Sequence, residues 1–262
     1  CIDTFDPTAK RHGISILSAG DIDDDDDIDI FIGDAFNTSL WFFRDDNKPD
    51  GCLTRASQEY LEVTTLGLNT PALGDLDGDL DFDFVVGVGD QNAGLDNLIL
   101  ARNLGTTTVP NHQVETMNLI DTFDLGRDAH LAAGDLDGDG DLDLYVGSDD
   151  GLIVELTNVG TAAAPAFVWG LPLTDETKLT IDVGIAAAPE LVDIDGDLDL
   201  DLLVGEGDGT VDFYRNVGSV SFPQFRLEDD AYAGIDGDFT AAPTLADLDD
   251  DDDLDMIVGE FG

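Results

Sequence analysis

Basic residues are scarce in this sequence. Lys and Arg total 10 of 262 residues against 59 Asp and Glu, for a formal net charge of −49. Phosphate backbones are gripped by basic clusters, so this balance excludes nucleic acid as a partner. Apolar runs are short as well. None approaches the roughly 20 residues of a membrane-crossing helix, so no membrane span is expected. No signal peptide is visible, and Cys1 is expected to follow a segment that is removed or lies upstream. Cysteine is rare: Cys1 and Cys52 are the only two, and neither sits in a C-x-x-C pair, so zinc and dithiol redox chemistry have no support. A Cys1–Cys52 disulfide in an oxidising compartment is the first reading; a free thiol beside a buried one, or a lipid-bearing N-terminal Cys, are the others.

Histidine is sparse too. His12, His112 and His130 are dispersed and form no metal-spaced pair. His12 and His130 precede equivalent strands, which points to a structural role. No Gly-x-Ser-x-Gly, phosphate loop or nucleophile–base pair occurs, and basic substrate clamps are lacking, so the chain is not expected to be an enzyme. Helical periodicity is also missing. Glu is rare beside Asp, at 9 against 50. A surface made acidic only for solubility would use both, whereas the shorter carboxylate suits loops that wrap a small hard cation.

What the chain has instead is a repeat. Five acidic nine-residue loops start 54, 60, 58 and 54 residues apart, with Asp at positions 1, 3, 5, 7 and 9 of each. They are Asp21, Asp23, Asp25, Asp27 and Asp29; Asp75, Asp77, Asp79, Asp81 and Asp83; Asp135, Asp137, Asp139, Asp141 and Asp143; Asp193, Asp195, Asp197, Asp199 and Asp201; and Asp247, Asp249, Asp251, Asp253 and Asp255. A short strand precedes each loop. A continuously apolar one closed by Gly follows, such as Leu202-Leu203-Val204-Gly205, and reads as a strand buried on both faces. A third strand ends in Asn-Leu-Gly or Asn-Val-Gly, and a variable fourth follows. Four short strands at a fixed period describe a β-propeller blade, so the expected fold is an all-β propeller in one domain. The repeats run over about 9–66, 67–126, 127–184, 185–238 and a partial 239–262, with residues 1–8 as a strand of a neighbouring or closing blade. Counted this way the fifth unit lacks a third strand. The chain then belongs to a larger, for instance seven-bladed, ring, or closes with a short blade, or borrows a strand from a neighbour in head-to-tail self-association.

Calcium takes six to eight oxygen ligands, and alternate Asp side chains on a tight loop can converge on one ion. Positions 1, 3, 5 and 9 are expected to give carboxylates and position 7 its backbone oxygen, with about one Ca2+ per repeat and up to five in all. Position 12, the bidentate Glu of an EF-hand, is Ile32, Val86, Val146, Val204 or Val258 here, which excludes that motif. The third loop has Gly138 and Gly140 at the tight places and should bind most firmly. The second and fourth have Leu80 and Leu198 at position 6 and are expected to bend differently. The first and fifth lack Gly altogether and should carry backbone strain.

The segments Ala-Pro-Thr-Leu-Ala-Asp-Leu-Asp and Asp193-Ile-Asp-Gly-Asp-Leu-Asp-Leu-Asp-Leu-Leu-Val-Gly resemble the FG-GAP/VCBS repeat family, the calcium-bearing blade of integrin α-subunit propellers and of some propeller lectins. The resemblance implies an extracellular or cell-surface propeller and names no ligand. The expected function is an adhesion or structural interaction module with a protein or glycan partner. A lectin of the same fold is the alternative, and an accessory domain of a secreted enzyme the third reading. Trp41, Phe42, Phe43 and Trp169 could stack on a sugar, though packing between blades is the plainer reading. Asn37-Thr38-Ser39 is the one N-glycosylation acceptor sequence, with Asn37 as the attachment residue.

Overall fold

The computed structural model describes residues 2–3, 15–34, 39–44, 53–57, 60–61, 69–88, 98–116, 119, 129–237, 239–248, 251 and 253–260. Asp249, Asn37, Cys1, Cys52 and His12 lie outside the described residues. Strands β1 (Ile2–Asp3), β2 (Ser15–Gly20), β3 (Asp29–Asp34), β4 (Trp41–Arg44) and β5 (Leu53–Ser57) make the first sheet. The second holds β6 (Asn69–Gly74), β7 (Asp83–Val88), β8 (Leu98–Asn103) and β9 (His112–Thr116). The third holds β10 (His130–Gly134), β11 (Asp143–Gly147), β12 (Ile153–Asn158) and β13 (Phe167–Pro172). The fourth holds β14 (Ala188–Val192), β15 (Asp201–Gly205), β16 (Val211–Asn216) and β17 (Phe225–Asp229), and the fifth β18 (Ala241–Ala246) and β19 (Asp255–Glu260). Within each sheet consecutive strands pair antiparallel, so every acidic loop joins a first strand to a second and all five loops lie on one face.

The first strands β2, β6, β10, β14 and β18 stand side by side, each against the next, and β18 returns to β2. The molecule is a β-propeller whose ring closes on five blades. Ser18, Ala72, Ala132, Glu190 and Thr244, one from each first strand, line an axial cavity of about 210 Å3. Glu190 Oε1 accepts hydrogen bonds from the Thr244 hydroxyl at 3.2 Å and the Leu245 N–H at 3.3 Å, which ties the fourth blade to the fifth. Of the three readings left open by the strand count, the described residues form the one in which the ring closes with a short fifth blade. Ile2–Asp3 also falls elsewhere: β1 pairs parallel with β5, the outer edge of the first blade, where unpaired backbone groups can take up a further strand.

The second strands β7, β11 and β15 are buried along their whole length because each lies between two neighbouring blades. Alternate residues serve alternate neighbours. Phe84 and Val86 pack with Phe31 and Phe42 of the first blade, while Val85 packs with Leu144 and Val146 of the third. Tyr145 meets Leu202 and Val204, and Leu203 clusters with Leu245 and Val258. Ile257 closes the circle against Ile30, Trp41 and Phe43. Phe31 shows how such a seam is held: its ring stacks on Phe42 at 4.7 Å and meets Phe84 edge-on at 4.8 Å. Full burial of such a ring contributes about 1.5–3 kcal/mol. Trp41 is thus core, and Trp169 packs on the cluster between the second and third blades.

The Gly at or next to the end of each of the first four second strands has a steric cause. A Cβ on Gly33, Gly87, Gly147 or Gly205 would stand 1.7, 2.5, 2.0 or 2.1 Å from the carbonyl oxygen of Asn69, Ala129, Ala187 or Ala241, at the start of the next blade's first strand. That close approach sets how tightly consecutive blades nest.

Candidate metal centre

The loops share one hydrogen-bond plan. The position 1 carboxylate turns inward and caps the loop's own N–H groups: Asp135 Oδ1 accepts from Gly138 at 2.7 Å and Asp139 at 3.2 Å, and its Oδ2 from Gly140 at 3.0 Å. Asp75 and Asp193 do the same, and Asp21 accepts from Asp25 and Asp26. The position 5 carboxylate accepts the position 7 N–H in all five loops, at 3.0–3.2 Å. Position 9 reaches outward to the blade: Asp83, Asp143 and Asp201 accept the N–H of Asn103, Asn158 and Asn216 at 2.8, 2.7 and 2.7 Å. Each of these Asn residues then brackets the turn to the fourth strand, taking N–H groups two and eight residues on. The Asn-x-Gly turn was legible in the sequence; its anchoring to the loop was not.

The inward cap imposes a left-handed backbone at positions 4 and 6. Gly78, Gly138, Gly140 and Gly196 adopt φ of 75°, 72°, 93° and 76°. Asp24 and Asp26 do so without Gly, at 56° and 67°, which is the strain expected of the first loop. The expectation that the second and fourth loops bend differently is corrected, because Leu80 and Leu198 both take φ 73°. The cap overrides side-chain preference, and the leucines project into solvent, 83% and 82% exposed. Leu80→Gly and Leu198→Gly should therefore each stabilise the protein by roughly 0.5–1 kcal/mol. Urea denaturation with calcium present measures this, and a loss of stability would show that the leucines hold something in place.

Three carboxylates converge in each of four loops. Oxygens of Asp21, Asp23 and Asp25, of Asp75, Asp77 and Asp79, of Asp135, Asp137 and Asp139, and of Asp193, Asp195 and Asp197 lie within 4.8 Å of one another. Ligands about 2.3–2.6 Å from one ion stand no more than about 5 Å apart, so the spacing fits. The chemistry of the leftover atoms fits too. Asp23 Oδ1 and Asp77 Oδ1 at position 3, Asp81 Oδ1 and Asp199 Oδ1 at position 7, and Asp143 Oδ2 are buried and meet no donor. Bare buried carboxylate oxygens are costly unless a cation meets them. Burial, reinforced by Asp79 and Asp197, pushes Asp81 and Asp199 up to about 6; burial pushes Asp83 and Asp143 up to about 7. All donors are oxygen, which suits a hard cation such as Ca2+. Position 7, read from the sequence as a backbone ligand, turns its carboxylate inward at Asp81 and Asp199. In the fifth loop, Asp247 accepts the Asp251 N–H at 3.2 Å and Asp255 the Leu248 N–H at 3.2 Å.

The loops are not equal. Arg44 binds Asp23 at 2.5 Å, Arg102 binds Asp77 at 2.5 Å, and Arg215 binds Asp195, so a guanidinium already holds the position 3 carboxylate in three loops. In the third blade Thr157 stands where Arg102 and Arg215 stand in the second and fourth. The third loop also has both glycines and the one bare position 9 oxygen among loops two to four, Asp143 Oδ2. Among the first four loops it is thus the one in which no guanidinium competes with a metal for the position 3 carboxylate. Each Arg stands immediately before the turn Asn or ends the third strand, and that pairing was the signal available in the sequence.

No protein-family model matches the chain, and no curated protein matches it. Among solved structures the chain is similar to a lectin from Agrocybe aegerita described as recognising non-reducing terminal N-acetylglucosamine, with TM-score 0.45 and 15% identity over 94% of this chain and 74% of that one. The propeller assignment stands on the sheet order and ring closure above.

Proposed function

We propose that the chain is a calcium-stabilised propeller of the FG-GAP/VCBS type, secreted or displayed at a cell surface, and that it works as a non-catalytic adhesion or structural interaction module. The observation that supports this best is the set of buried, donorless carboxylate oxygens repeated loop after loop on one face. Calcium there neutralises the repelling carboxylates and locks the strand junctions, so a rigid surface is presented to a partner. Calorimetric titration tests the reading. The tightest calcium site should vanish in Asp135→Ala, while Asp21→Ala should remove a weaker one, because Arg44 and the strained Asp24 and Asp26 burden the first loop. Tightest binding by the first loop would overturn this ranking.

A second reading, a carbohydrate-binding lectin, has its own support. A cavity of about 360 Å3 opens between the third and fourth blades, next to the third loop, and carries an aromatic side chain at its rim.

A further inference from the structure

Among the described residues of the first four blades, the layer between blades is apolar at equivalent places except one. The second-strand residue that faces the next blade pairs across strands as Phe31 with Phe42, Val85 with Leu100, and Leu203 with Phe213. In the third blade the same pair is Tyr145 with Glu155. Tyr145 is fully buried, yet its hydroxyl meets no partner. An unpaired buried hydroxyl costs about 1–3 kcal/mol, and Phe or Leu would fill that place without the cost. Both side chains line the 360 Å3 cavity. Its floor includes Leu136 and Leu173, and its rim Lys178, Phe222 and Gln224. Phe222 is 76% exposed on the turn between β16 and β17. Lys178 takes φ 69° in the tight turn that Asp175 Oδ1 caps by accepting the Thr177 and Leu179 N–H groups at 2.8 and 3.0 Å.

We infer that this pocket binds a neutral hydroxylated ring of single-sugar size, with Tyr145 and Glu155 hydrogen-bonding its hydroxyls and Phe222 covering its apolar face. The inference rests on the lectin reading and gives it a site and a ligand class. Size comes first: ligand pockets run from about 300 to 1,000 Å3, and this one is at the small end. Charge comes second: a chain of net charge −49 repels anions, so acidic sugars are disfavoured. Lys178 also lines the pocket, which argues against a free amine as the natural ligand, since the pocket already holds its own cation. Chemistry comes third: Tyr donates to a hydroxyl oxygen, a carboxylate accepts from a hydroxyl hydrogen, and an exposed ring packs on axial C–H groups. Asp137 of the third loop shares the lining, so calcium there would hold one wall in place.

The test is a glycan array with calcium present, followed by calorimetric titration of the best neutral monosaccharide into wild type, Tyr145→Phe, Glu155→Gln and Phe222→Ala. Each variant should lose at least about tenfold in affinity. Phe222→Ala should keep the wild-type melting temperature, because the ring is exposed. Tyr145→Phe should keep or raise it, because only an unpaired hydroxyl is removed. Wild-type glycan binding that all three variants retain would overturn this site and leave the lectin reading standing. No glycan bound by wild type would overturn both, while calcium-dependent stability would still stand. A preference for sialylated or sulfated glycans would overturn the neutral-ligand class.

Discussion

Chelation should lower the melting temperature of this protein by at least about 20 °C. A ligand that binds only the folded state stabilises it by about 2.7 kcal/mol per site at one hundred times its dissociation constant. Four or five such sites sum to more than about 10 kcal/mol, and in a chain of this size each kcal/mol moves the midpoint by roughly 2–4 °C. Electrostatics acts in the same direction. Five Ca2+ ions neutralise ten of the 49 net negative charges, at the places where carboxylates stand closest. Without the ions those groups repel across a few ångströms, so the drop should be larger at low ionic strength, where screening is weak. Sites shared between strands one and two of every blade make the loss cooperative around the ring. A melt that chelator leaves unchanged at low salt would remove calcium from the account.

The pH dependence of stability should reverse sign when calcium is removed. Asp83 and Asp143 are pushed up to about 7 by burial, and Glu190 in the axial cavity likewise to about 7. Asp81 and Asp199 rise to about 6. A carboxyl group whose folded value is raised keeps its proton where the unfolded chain has released it. The metal-free fold therefore loses stability as pH rises from about 4 to about 7. Calcium needs the same carboxylates bare, so its stabilisation grows over that window. His130, buried and lowered to about 4, and His112, also lowered by burial, work against the acid gain below about 6.5 but are outnumbered by the five raised carboxyl groups. In chelator the melting temperature should be higher at about pH 5.5 than at pH 8, by about 10 °C. With saturating calcium the order should invert. The same sign in both conditions would mean that the loop carboxylates are not the metal ligands.

Period and alternation made the blades legible. The run Leu202-Leu203-Val204 could only be a strand covered on both sides, and the fixed 54–60-residue spacing made it one strand of a repeat. Odd-numbered Asp residues pointed to a convergent oxygen site because period two places alternate side chains on one side. What stayed hidden depends on contacts between units. Gly33 and Gly147 read as strand terminators, but the reason is the next blade's carbonyl. Leu80 and Leu198 looked incompatible with the turn, yet the Asp75 and Asp193 caps force them into it. The pairing of Tyr145 with Glu155 and the closure of β18 on β2 follow from register and ring geometry, which no local pattern encodes.

The stoichiometry of bound calcium tests the central claim most directly. Protein equilibrated with calcium, then freed of unbound ions and analysed for metal, should retain four or five Ca2+ per chain, and the Asp135→Ala variant one fewer. Retention of no calcium above a buffer blank would contradict the claim that these loops are metal sites.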